Sequence, residues 1–127
     1  MLTISLAGNL LLILLCILFV FHLLILAGFI PHDIIWAGKI RSKKHLIQME
    51  SISILVTIIM AIIVCLKMDY LNWIENKTII KIAMWILFAF FTLNTLGNLT
   101  AKTKFEKYAF GTLTLFMALL ALYLALN

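Results

Sequence analysis

Residues 4–28 read ISLAGNLLLILLCILFVFHLLILAG, a run in which Ser5, Asn9 and His22 interrupt apolar side chains and no Asp, Glu, Lys or Arg occurs. A helix rises about 1.5 Å per residue, so about 20 such residues cross a hydrocarbon core of about 30 Å. The run is too long for the apolar core of a signal peptide. No Lys or Arg precedes it and no A-x-A site follows it, so it is expected to be a retained membrane span.

Three further stretches meet the same length requirement, at 46–66, 78–97 and 108–126. The expected fold is therefore all-α: one domain over residues 1–127, an integral membrane bundle of four antiparallel transmembrane helices with short interfacial loops. Composition agrees. With 65% hydrophobic and 12% charged residues and a mean hydropathy of +1.20, the chain lies outside the range of water-soluble domains. The spans use up nearly all of its 127 residues, which leaves no room for a separate soluble catalytic domain.

The charges orient the bundle. Lys39, Arg41, Lys43 and Lys44 fall in the loop after the first span, and Lys102, Lys104 and Lys107 in the loop after the third. The opposite side holds Lys67, Lys77 and the borderline Lys81. Positive charge accumulates on the cytoplasmic side, so the first and third loops are expected there and both termini outside, in a plasma or inner membrane. The net charge of +5 then serves topology and attraction to anionic lipid headgroups, with Lys39, Arg41, Lys43 and Lys44 as the headgroup contacts. No fold or basic helix supports nucleic-acid binding. Trp36, Tyr70 and Trp73 sit at span ends, where aromatic rings anchor at headgroup depth, and Pro31 suits the first turn of a short interfacial helix.

Polar residues inside the spans are the candidate site. Glu50, Ser53 and Thr57 follow i, i+3, i+7 on the second span, and Asn94, Asn98 and Lys102 follow i, i+4, i+8 on the third. With His22 they share one leaflet. Two polar stripes at the same depth are expected to face each other across the bundle, with Lys102 as the natural partner of Glu50. Two readings stay open: an interhelical clamp, and a cytoplasm-facing pocket for a proton, a cation or a lipid headgroup.

Other chemistry finds little support. His22, His32, Asp33, His45 and Glu50 lack the helical spacing of a metal set, and Cys16 and Cys65 lie in different spans without CxxC spacing. Ser51, Ser53 and His22 occur without a G-x-S-x-G elbow. No catalytic residue, metal or cofactor is expected. Gly111, Thr114, Ala118, Ala121 and Ala125 form a small-residue seam on the fourth span, fit for packing within the chain or against a second copy.

These residues point to a small, non-enzymatic, multi-pass membrane protein, an oligomeric transporter or channel-like subunit in which Glu50 binds charge beside His22, Asn94 and Asn98. One alternative is a membrane-embedded enzyme or binding module for a lipid headgroup. Another is an accessory or assembly protein without a ligand.

Overall fold

The computed structural model describes residues 2–31, 40–101 and 103–127. Trp36, Lys39 and Lys102, together with His32 and Asp33, lie outside the described residues. The rest is helical: α1 Ile4–Leu26, α2 Lys43–Lys67, α3 Lys77–Leu99 and α4 Gly111–Leu126, the last preceded by a wide π turn at Phe105–Phe110. All four helices, counting the π turn with α4, are long and apolar enough to cross a membrane.

Local chemistry sets the ends. Thr3 caps α1, its hydroxyl accepting the Leu6 N–H at 3.1 Å. The helix closes two residues before the expected 28, because Gly28 adopts φ 89° and a Schellman pair forms, Gly28 N–H to Ile25 C=O and Phe29 N–H to Leu24 C=O. Ser42 caps α2 by accepting the His45 N–H at 3.1 Å. That cap starts the helix ahead of the expected residue 46 and moves Lys43, Lys44 and His45 from the loop into its first turn.

The far end of α2 repeats the Schellman pattern with a non-glycine residue. Asp69 sits at φ 60°, its N–H bonded to Leu66 C=O and the Tyr70 N–H to Cys65 C=O. Asp tolerates this left-handed position better than most residues. Asn76 caps α3, which runs past the expected 97 to Leu99, so Asn98 is helical and not part of a loop.

The fourth span also starts earlier than the expected 108. Thr103-Lys104-Phe105-Glu106 has the spacing of a capping box: the Thr103 hydroxyl accepts the Glu106 N–H at 3.2 Å and meets the Glu106 carboxylate at 3.0 Å. Lys107 thereby belongs to the π turn and not to a loop.

The helices pack in a ring, each against the helices before and after it, with α1 and α4 closing the circle. Contact is most extensive between α3 and α4 and sparsest between α2 and α3. The small-residue seam explains the tight pair. Gly111, Thr114, Ala118, Ala121 and Ala125 are all buried within the chain, letting α4 approach its neighbours closely. The centre is filled by Leu11, Leu15, Val64, Met84, Phe91, Met117 and Leu124. At Gly8 the Met68 thioether occupies the space a Cβ would take, so glycine lets the end of α2 close over the start of α1.

Outward faces are as apolar as the core: Ile13, Ile17, Leu55, Ile59, Ile86, Leu93 and Leu119 are all exposed. Polar ties close the end where α1 begins. The Tyr70 hydroxyl donates to Asn9 Oδ1 at 2.6 Å, Lys77 Nζ to Asp69 Oδ1 at 2.7 Å, and the Tyr123 hydroxyl to the Leu2 carbonyl at 3.0 Å.

Candidate functional site

Near the opposite end, His22 on the last turns of α1 meets Glu50 on the early turns of α2. His22 Nδ1 lies 2.6 Å from Glu50 Oε2, with the glutamate side chain 0% exposed and the imidazole 12%. A carboxylate and an imidazole at this distance share one proton, on Nδ1 when Glu50 is ionised and on the carboxyl when it is not. The contact fixes the ring. With Nδ1 taken, Nε2 is the polar atom His22 has left to offer.

His22 also lines a cavity of about 410 Å³, within the size range of small-molecule sites. Every helix contributes to its wall: Leu18 and His22 from α1, Ser53, Val56, Thr57 and Met60 from α2, Phe90, Asn94 and Asn98 from α3, and Glu106, Phe110 and Thr114 from the π turn and α4. Ser53 and Thr57 of the α2 stripe and Asn94 and Asn98 of the α3 stripe line it together. Glu50 itself is not on the wall; it is fully buried and held to His22.

The cavity's surface-exposed lining lies on α2 and α3, the neighbouring pair with the sparsest contact. Its exposed lining residues, Ile52, Phe90 and Asn94, belong to those two helices, whereas Glu106 and Thr114 are buried. Polarity is graded along its length. His22, Asn98 and Glu106 gather at one end, while Val56, Met60 and Phe90 line the part nearer the middle of the helices.

Most wall polar groups already have partners within the protein. The Ser53 and Thr57 hydroxyls donate back to the Met49 and Ser53 carbonyls at 3.0 and 2.7 Å, four residues earlier on α2. Asn98 Nδ2 donates to Thr114 Oγ1 at 3.3 Å, and the Thr95 and Thr114 hydroxyls meet at 3.0 Å, which ties α3 to α4. The Thr103 hydroxyl meets Glu106, and Phe21, Phe105 and Phe110 form an aromatic cluster beside them, with ring centroids 5.1 to 6.0 Å apart. Asn94 differs. Its side chain makes no hydrogen bond to any described residue, although it stands exposed at the cavity mouth between Leu93 and the buried Thr95.

The remaining candidates lie away from the cavity. Arg41, Lys43 and Lys44 are exposed around the start of α2. His45 belongs to the α2 cap, where Nδ1 accepts the Arg41 N–H at 3.2 Å. Among the described residues, no three His, Cys, Asp or Glu side chains converge as a metal site. Trp73 is exposed, and Tyr70 is exposed with its hydroxyl engaged by Asn9. The expected Glu50–Lys102 pairing falls outside the described residues; among the described residues His22 pairs with Glu50.

Glu106 was not anticipated as a site residue. Its signal was present in the sequence, since Thr-x-x-Glu marks a helix start and turns a presumed loop acid into a first-turn side chain facing inward. No family model, curated protein or solved structure matches this chain.

Proposed function

We propose that the chain is a four-pass integral membrane protein, its helices antiparallel, its first and third loops cytoplasmic and its termini outside. It acts as a non-enzymatic, carrier-type binding subunit with one ligand site in the cytoplasmic leaflet. The observation that carries this reading is the cavity of about 410 Å³, polar at the end near the basic loops and with its exposed lining on α2 and α3. Exposed Ile, Leu and Phe faces on all sides support insertion, because water would not tolerate them and lipid would. His22, Asn94 and Asn98 are the ligand-facing groups, and Glu50 positions His22.

A second reading is supported by the complete burial of Glu50: the pair with His22 is an interhelical clamp and the protein is an assembly factor. Cysteine accessibility separates the two. With Cys16 and Cys65 replaced by alanine, Ser53→Cys is expected to react with a small membrane-permeant thiol reagent and the core variant Ala118→Cys to stay unreactive, while an impermeant reagent reports the side on which each loop lies. Failure of Ser53→Cys to react in folded protein overturns the binding site. Reaction of Lys43→Cys and Lys104→Cys only from outside overturns the orientation.

A further inference from the structure

We propose that the ligand is an uncharged, hydroxyl-bearing amphiphile with a single acyl chain, of the monoacylglycerol class, which enters from the bilayer between α2 and α3. This rests on the binding site proposed above and specifies its occupant.

The state of the polar groups argues for an uncharged head. The two carboxylates at this end are already engaged inside the protein, Glu50 by His22 and Glu106 by Thr103. An ionic head would have to displace those contacts or sit beside a charge already satisfied. What the cavity offers instead is the amide of Asn94, without a partner among the described residues, and the remaining nitrogen of His22. An amide needs one acceptor and one donor, and an imidazole nitrogen supplies whichever role its proton allows. Adjacent hydroxyls meet all three needs without carrying charge. Asn94 is flanked on the exposed surface by Phe90 and Leu93, which are 39% and 68% exposed, so an amide facing hydrocarbon there gains its hydrogen bonds only from something that arrives with a polar head.

Shape argues for one chain and for lateral access. A cavity of about 410 Å³ holds on the order of a dozen water-sized groups, enough for a small head and the first part of a single chain. The rest of the chain leaves through the α2–α3 mouth, past Ile52 and Phe90. The gradient of the wall matches a lipid of the cytoplasmic leaflet, with its head at the His22 end and its tail toward Val56 and Met60.

The test is binding to the purified full chain in lauryldimethylamine oxide, a detergent without hydroxyl groups, read by native mass spectrometry, with monooleoylglycerol, oleylamine, oleate and free glycerol as probes. One monooleoylglycerol per chain is expected, saturable, at least about tenfold tighter than oleylamine or oleate, with glycerol failing to compete. Asn94→Leu, a change at an exposed helix position that leaves the core untouched, is expected to weaken binding about tenfold; Leu119→Ala, on an exposed face of α4 away from the cavity, is expected to change it less than threefold. Preference for oleylamine or oleate overturns the uncharged head while leaving the binding site standing. Equal competition by glycerol overturns the single-chain, lateral route. Unchanged binding in Asn94→Leu overturns the placement of the head. Saturable binding of none of the probes, with Ser53→Cys still reactive, overturns the amphiphile alone; the same result with Ser53→Cys unreactive overturns the site itself.

Discussion

At the scale of the residue, the informative contrast is between two acids with opposite surroundings. Glu50 is fully buried against an imidazole, whereas Asp69 is exposed and held by Lys77. Removing one partner of a buried pair costs about 3–5 kcal/mol, while a side chain that keeps the hydrogen bond loses far less, about 1 kcal/mol. Glu50→Leu is therefore expected to lower stability in detergent by about 3–5 kcal/mol, and Glu50→Gln by about 1 kcal/mol. In a double-mutant cycle with His22→Leu, the paired loss should be smaller than the sum of the single losses. Additive losses in unfolding titrations would show that the two side chains are not coupled.

Asp69 behaves in the opposite way. The Lys77 ammonium, through its hydrogen bond and its charge, holds the Asp69 carboxyl below the ordinary carboxylate range. A folded-state pKa that is depressed contributes stability above the unfolded value and loses it as pH falls through the folded one. Both side chains are well exposed, so salt screens the effect. Asp69→Asn should remove a small acid-side slope from the melting temperature at low salt, with no difference from the parent at high salt. Asparagine keeps the left-handed backbone at this position accessible, so the variant isolates charge from strain.

At the scale of the element, the number and rough extent of the helices were legible, because each is an apolar run longer than a bilayer core. The ends were less so. A hydropathy window stops where charge begins, yet helices stop where caps do. Ser42, Asn76 and Thr103 each carry the helix into a stretch that charge alone assigns to a loop. The polar stripes were legible from helical spacing, as was the seam of α4, though spacing alone left open whether its partner was internal. The pairing of Glu50 with His22 was not legible, because spacing places both at suitable depth but only the ring order of the helices brings α1 against α2 at that level. The π turn follows from the same logic as the caps: it keeps Glu106, Phe110 and Thr114 on the cavity wall, at the kind of wide turn that recurs at functional sites. Thr103→Ala is expected to cost about 1 kcal/mol through loss of the cap and to raise amide hydrogen exchange selectively over the π turn. Uniform exchange across α4 would separate the cap from that turn.

At the scale of the whole molecule, the ring is uneven in a way that couples stability to access. The α3–α4 pair is closed by small residues and threonine hydroxyls, whereas α2 and α3 pack least and carry the cavity's exposed lining. A chain under selection for stability alone would fill that cavity, since enlarging a side chain into an existing cavity commonly gains about 0.5–2 kcal/mol. Val56 lies half-buried on the wall. Val56→Phe is expected to stabilise the ligand-free protein by about 1 kcal/mol and to abolish the saturable uptake of monooleoylglycerol. Measuring melting temperature with and without the lipid separates the alternatives: the parent should gain a shift on adding lipid, and the variant should start higher and gain none. If the cavity is only imperfect packing, the variant will be more stable and its response to lipid will equal that of the parent. A loss of stability would instead show that the wall is rigid, with the cavity kept open by the surrounding helices.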